Sequence, residues 1–464
     1  MTKLRFVLAT AVLAAALGAI SWLTLAAGPA KGSGLGPPPV SDDTQDMLAT
    51  INADRIQQTI ATLVGFGTRH TLSAQDDPNR GIGAATNWAY DQLQQIAATS
   101  GGRMTVAKDS FIQPVSPRVP VPTPITNVIA TLQGTQPESA NRVYVISAHL
   151  DSRVTDVLNF TSDAPGADDD GSGVAAVLEL ARVMATHQFD ATIKFALFAG
   201  EEQGLYGSAH FAAELKAAGT NVAGMFSNDI IGSSLGENGI RDKHEVRLFA
   251  ESPPTSETAS QTAIRQAFGG ENDSNSRELA RFVLDSARAA APNMKVWLIY
   301  RRDRILRASD HVSFLQQGYP AARFTEPNED YRHEHQDVRV ENGVQFGDLE
   351  QFLDYHYIRD VARVNGAALA LLADGPAAPR GVTLEATSLS PDTTLHWQAN
   401  TEPDLAGYEI VYRDTTAPEW EHVIPVGTVT HYKIDGLTED NFLFGVRAVD
   451  TDGNRSVVSF ALPG

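Results

Sequence analysis

An α/β domain followed by an all-β sandwich is the architecture this sequence predicts, and three observations predict it. Strand-like and helix-like segments alternate from residue 47 to 374. A Gly-Pro-Ala-Ala-Pro run at 375–379 then interrupts the pattern as a hinge. Residues 380–464 read as short alternating strands bounded by turn residues. The 464 residues allow two to four domains at roughly 100–200 residues each.

The first element stands outside both domains. Lys3 and Arg5 precede an apolar run from Phe6 to Ala27. A basic start before such a run is the pattern of a secretory signal peptide. The run is also long enough to span a bilayer, so residues 1–30 read as a signal peptide or an N-terminal membrane anchor. Either one exports the remainder, to a periplasmic or extracellular location. Residues 31–46, rich in Gly, Pro, Ser and Asp, read as a flexible linker.

Within residues 47–374 the apolar run 143–148 is a strand, as is 192–198. Between them Val174, Val177, Leu178, Ala181 and Met184 recur at helical spacing over 173–187, giving one buried face. Further strands are expected at 222–228, 294–300 and 320–325, and helices at 84–97, 207–218, 277–290 and 351–372. The Gly-, Ser- and Asn-rich stretch 232–276, with a weak strand at 245–250, reads as an insertion between core elements. In the C-terminal part strands are expected at 381–386, 393–398, 407–413, 429–434, 442–449 and 455–461. Trp397, Tyr408, Ile410, Tyr412, Leu437, Phe444 and Val446 are placed to fill its core.

Composition narrows the chemistry. With 36 Lys+Arg against 56 Asp+Glu the formal net charge is −20, which argues against nucleic acid or an anionic membrane surface as partner. Cysteine is absent, so disulfides, thiolate nucleophiles and Cys-type zinc fingers are excluded. Any metal must be held by His, Asp and Glu.

Five places carry that kind of chemistry. His149-Leu150-Asp151 directly follows a strand, where side chains face the ligand crevice of an open α/β sheet. A His there can ligate a metal while the Asp hydrogen-bonds its other ring nitrogen. Asp168-Asp169-Asp170 opens the helix near Gly173; capping employs one carboxylate and leaves the others calling for a cation. Glu201-Glu202 follows a buried strand, where one can bind metal and the other move protons. Asp229 ends another strand. Last, His333 and His335 lie in the dense run Tyr331 to Asp337. Ser309-Asp310-His311 is no Ser-His-Asp triad, whose members come from separate parts of a fold. A G-x-S-x-G elbow is also missing.

Taken in order, these motifs resemble the co-catalytic di-zinc aminopeptidases of peptidase family M28. The resemblance runs over about residues 120–372, from Thr126-Asn127-Val128-Ile129-Ala130 through HLDS, PGADDDGSG, AGEEQGLYGS, SDH and HEHQD. It implies a zinc-exopeptidase-type mixed sheet flanked by helices, two Zn ions, and hydrolysis of peptides from their N-termini. It also implies that Asp169 bridges the ions. His149 and Asp229 complete the ligands of one ion, Glu202 and His333 those of the other. Glu201 is then the general base, and Asp151 the partner of His149. The family's histidine usually lies four residues before an Asp, which selects His333 from Asp337, with His335 as its rival. Carboxypeptidase-like and glutaminyl-cyclase-like enzymes share the fold and stand as alternatives, as does a non-catalytic ectodomain. Residues 380–464 resemble a fibronectin type III domain in Trp397 and in the strand ending Val446-Arg447-Ala448-Val449-Asp450. That implies an accessory module, with tethering, shielding and binding a polymer or surface all open.

Overall fold

The computed structural model describes residues 33–34, 36–387 and 389–464. The expected signal or anchor at 1–30 lies outside the described residues. Among the described residues no helix is long and apolar enough to cross a membrane.

One eight-stranded mixed sheet organises the first domain. In chain order its strands are β1 (Met104–Gln113), β2 (Thr123–Leu132), β3 (Arg142–His149), β4 (Thr192–Phe198), β5 (Asn221–Asn228), β6 (Glu245–Ala250), β7 (Lys295–Ile299) and β8 (Ala321–Thr325). Their spatial order is β1-β2-β4-β3-β5-β8-β6-β7. The central four, β4-β3-β5-β8, run parallel. β1 and β2 pair antiparallel on one side, and β6 joins β8 antiparallel on the other. Every residue of β3 is buried, as a central parallel strand covered on both faces requires. One face packs on helices Ala53–Gly65, Gly171–Met184, Asn275–Ala290 and Tyr355–Asp374. The other holds a smaller cluster with Phe198, Phe211, Phe314 and Tyr319.

Chain order reverses around β3, since β4 lies on one side of it and β5 on the other. At such a switch point the loops after neighbouring strands part and leave a crevice beyond their C-terminal ends. His149 ends β3, Glu201 follows β4 after the two residues Ala199 and Gly200, and Asp229 follows β5 directly.

Two expectations are corrected. The 232–276 stretch is not merely an insertion, because its strand β6 is an integral member of the sheet between β8 and β7. The weak strand expected at 245–250 is this one, and its Val246, Leu248 and Phe249 are buried. The stretch also carries a helix, Ala259–Ala267, closed by a capping box between Thr258 and Gln261. Likewise the expected linker is partly helical. Ser41 caps a helix Asp42–Ala49 that has Asp42 and Asp43 in its first turn and buries Met47 and Leu48.

Beyond the hinge, two small sheets enclose Trp397, Tyr408, Ile410, Tyr412, Phe444 and Val446, with Leu437 packed at the edge. A strand at His422–Gly427 was not expected, because Pro425 withholds a ladder donor and weakens the strand pattern. The sandwich is fastened to the first domain by buried polar contacts. Arg142 reaches Glu402 at 3.2 Å and the Gly375 carbonyl at 2.5 Å. Arg413 holds both oxygens of Asp273 at 2.7 Å, and the Trp420 indole donates to Glu278 at 2.8 Å.

Candidate metal centre

The crevice gathers six of the seven residues singled out from sequence. Asp169 lies at its middle. One carboxylate oxygen stands 3.0 Å from His149 Nε2, and the other 2.7 Å from His335 Nε2. His335 also approaches Glu202 at 3.0 Å. Two groups of candidate ligand atoms result, each lying within 4.8 Å of one another: His149, Glu201 and Asp229; and Asp169, Glu202 and His335.

Local structure explains each placement. Gly200 turns the chain after β4 with φ +76°, and a Cβ there would sit 2.8 Å from Ile125. Only a glycine makes this turn readily. Glu201 and Glu202 then open a short helix over Glu201–Gly204. The buried Asp151 accepts hydrogen bonds from both their amides, at 3.2 and 3.1 Å, and from the Thr71 hydroxyl at 2.9 Å. The contact of His149 Nδ1 with Asp151 is closer to the carbonyl, 3.0 Å, than to the carboxylate, 3.7 Å. Asp151 therefore fixes the acidic pair as well as the histidine ring.

The three adjacent aspartates divide their work. Asp168 accepts the Gly232 amide at 2.7 Å. Asp169 faces the two histidines. Asp170 caps the helix Gly171–Met184 through the Gly173 amide at 3.0 Å and accepts the His149 amide at 2.9 Å. The Asp348 carboxylate receives the amides of Asp168 and Asp169, at 2.7 and 2.8 Å. Asp229 is held through Arg323, which spans it at 2.8 Å and Asp303 at 3.0 Å.

The site is strongly coupled electrostatically. Burial alone would raise the Asp169 carboxyl, yet His335 and His149 hold it well below its usual range. Burial of Glu201 pushes its carboxyl well above the usual range; His149 opposes this, while Asp229 and Glu202 add to it. Burial likewise lifts Asp310 to about 7, and neither of its carboxylate oxygens has a hydrogen-bond partner. The middle member of Ser309-Asp310-His311 is thus a buried acid beneath the site, while its neighbour His311 donates to or accepts from nothing in the crevice and instead meets the Arg302 carbonyl at 2.8 Å.

The expected last ligand, His333, does not reach the cluster. Its Nδ1 lies 3.3 Å from Asp330, and its ring stacks on Phe352 at a centroid distance of 3.4 Å. The residue two places on, His335, adopts φ +50° and so turns its ring back to Asp169. Spacing from an aspartate could not reveal that reversal. Sequence reasoning also missed Arg323, Thr71 and Asp348, which lie far along the chain and carry no local motif.

The donor set fits zinc. It offers two imidazoles and several carboxylates, with Asp169 facing both imidazoles and with no thiolate. Glu202 Oε1 is buried and faces His335 Nε2 at 3.0 Å, two donor atoms converging as ligands of one cation would.

Comparison with known proteins agrees with this chemistry. The model of peptidase family M28 matches residues 127–342. A probable zinc metalloprotease of Pyrenophora teres f. teres is 48% identical over 429 residues, 92% of this chain and 88% of the relative. One from Pyricularia oryzae is 49% identical over 428 residues, 91% and 85% of the two chains. Among solved structures, Legionella pneumophila LapA aminopeptidase aligns with a TM-score of 0.50 at 19% identity, covering 74% of this chain and 78% of that one. Macrostomum lignano glutaminyl cyclase aligns with a TM-score of 0.50 at 17% identity, covering 73% and 95%. At such identities the likeness is one of fold.

Proposed function

Since the chain belongs to peptidase family M28 and is a zinc metalloprotease, we propose that it is a two-zinc aminopeptidase exported from the cytoplasm. The observation that carries the reading is the placement of Asp169, one carboxylate oxygen toward each histidine. In this reading His149, Asp229 and Asp169 hold one ion, and Asp169, Glu202 and His335 the other. Bound zinc supplies a Lewis acid that polarises the scissile carbonyl and lowers the pKa of water toward about 7.

The chain's own residues do the rest. Glu201 stands beside this set at the cleft wall, so its carboxylate takes the proton of the attacking water and delivers it to the leaving amine. Burial raises its proton affinity above that of an ordinary carboxylate, which suits a group that must accept a proton. Asp151 keeps that carboxylate in place by binding the Glu201 and Glu202 amides, and orients His149 from behind. A complete set of carboxylate and imidazole donors for two ions favours a peptidase over a glutaminyl-cyclase-like reaction. The apolar run from Phe6 to Ala27 supports export, and the sandwich at 380–464 is read as a fibronectin type III-like accessory module.

Zinc analysis combined with a panel of free and N-blocked peptides tests the proposal. Two zinc ions per chain and cleavage confined to peptides with a free N-terminus are expected. Equal rates on blocked and free peptides would defeat the aminopeptidase assignment, and a single tightly held ion would defeat the two-zinc one.

A further inference from the structure

Outside the crevice the described residues hold a third group of the same make-up as the two within it. Asp109, His210 and Glu214 each offer one ligand atom, and these atoms lie within 4.8 Å of one another. Like both groups of the crevice, this one consists of one imidazole and two carboxylates. None of its members lines the cavity around Asp169.

Sequence and fold build the group from two elements. His210 and Glu214 are four residues apart on the helix Tyr206–Ala217, so their side chains share one face. Asp109 lies on β1, the edge strand of the sheet. His210 Nε2 stands 3.2 Å from Asp109 Oδ1 and 3.3 Å from Glu214 Oε1. The Phe111 ring stacks on the imidazole, with centroids 4.1 Å apart and planes 20° off parallel, and so fixes its orientation. Asn127, opposite Asp109 in the ladder, donates to Asp109 Oδ2 at 2.9 Å. One oxygen of Asp109 is thus held from outside while the other turns to the histidine, the arrangement that orients a ligating carboxylate. Two carboxylates converge here, and among the described residues no Lys or Arg pairs with either. Buried acids elsewhere in the chain, such as Asp273 and Asp303, do take arginines. An imidazole carries at most one positive charge against these two negative ones, whereas a divalent cation balances both.

We propose that Asp109, His210 and Glu214 form a further metal site, separate from the catalytic centre, for a divalent transition-metal cation such as zinc. The imidazole selects this class over calcium and magnesium, which take oxygen ligands. Three protein ligands leave the remaining position to water. The ion ties the edge strand β1 to the helix Tyr206–Ala217. The Asn127 carboxamide that steadies Asp109 also accepts the Ala199 amide at 3.1 Å and donates to the Gly207 carbonyl at 3.0 Å. The site is therefore braced against the turn that carries Glu201 and Glu202, and its role is that of a structural staple.

The full chain, dialysed to equilibrium against micromolar zinc, provides the test. Bound zinc per chain is counted by elemental analysis for the parent, His210→Ala and Glu214→Ala. Each variant should hold one ion fewer than the parent, whatever number the crevice binds. The Glu214 side chain is 59% exposed, so its removal leaves the fold intact and decides the matter even if His210→Ala does not fold. Combining Glu202→Ala with Glu214→Ala should lower the count by the sum of the two single losses, as separate sites require. Once the crevice is loaded, further zinc should raise the Tm of the parent and not that of either variant. An equal count in the parent and Glu214→Ala overturns the proposal, as does an extra ion taken up only at millimolar zinc and alike in parent and variants. Either result leaves the catalytic centre untouched. A chain that binds a single ion, lost in Glu214→Ala and kept in Glu202→Ala, would instead sustain this site and defeat the two-zinc reading of the crevice.

Discussion

Arg323 allows the site to be tested without touching any residue that would bind metal. Its guanidinium is fully buried on β8, 2.8 Å from Asp229 and 3.0 and 3.2 Å from the two oxygens of Asp303. Arg323→Met removes the guanidinium beside Asp229 and leaves Asp303 with only the more distant guanidinium of Arg304, 3.7 Å away. Removing one partner of a buried ion pair costs about 3–5 kcal/mol. The Asp303 side gives an independent gauge. Burial would raise its carboxyl, but Arg323, His311 and Arg304 hold it down to about 2, against an ordinary 3.8. At about 1.4 kcal/mol per pH unit, that gap is worth about 2–3 kcal/mol. Because the folded-state value is depressed, this stability is present above the unfolded value and disappears as pH falls through the folded one. Urea unfolding of the zinc-free variant at pH 7 should therefore show a loss of about 3 kcal/mol. The gap to the parent protein should close between about pH 4 and pH 2. Zinc affinity should also fall by about 10- to 100-fold, since Asp229 loses the group that orients it. A loss below about 1 kcal/mol at pH 7, or a gap indifferent to acid, would refute the reasoning.

Other substitutions separate the duties of neighbouring residues. Glu201→Gln should retain zinc and lose about 2–4 orders of magnitude in kcat; full activity would remove Glu201 from proton transfer. His335→Ala should lower bound zinc, measured by elemental analysis, whereas His333→Ala should leave it unchanged. Chelation should abolish hydrolysis and lower Tm, and added zinc should restore both, since a ligand bound only by the folded state stabilises it. Arg413→Met should cost about 3 kcal/mol in urea unfolding, because it strips a buried cation from Asp273 at the junction between the domains.

Much of the site could be read along the chain because an α/β sheet converts sequence order into spatial order. His149, Glu201 and Asp229 each follow a buried apolar run, and runs of that kind became parallel neighbours with their C-terminal ends together. The three adjacent carboxylates made one of them a candidate metal ligand, and the resemblance to the peptidase family singled out Asp169. The choice between His333 and His335 could not be read. Both lie among polar and charged residues in one loop, and a positive φ at His335 and a stack of His333 on Phe352 settle which ring turns inward. The weak strand expected at 245–250 is β6, but its place inside the sheet could not be read, nor could the strand at His422–Gly427. β6 pairs with β8, far away in sequence, and Pro425 weakens the pattern of the other strand, whose partner is the neighbouring Leu405–Asp414.

The sequence alone therefore sufficed for the α/β architecture, the absence of cysteine chemistry and the strand-end positions of His149, Glu201 and Asp229, since periodicity and residue type are local properties. Folding in three dimensions brought what locality cannot carry. It joined Thr71 to Asp151 across 80 positions and Arg323 to Asp229 across 94. It also set Arg118, Arg153, Arg304 and Arg307 around one acidic floor. Those charges interact through space at a few ångströms in a poorly screened cleft, and separation along the chain does not enter that energy.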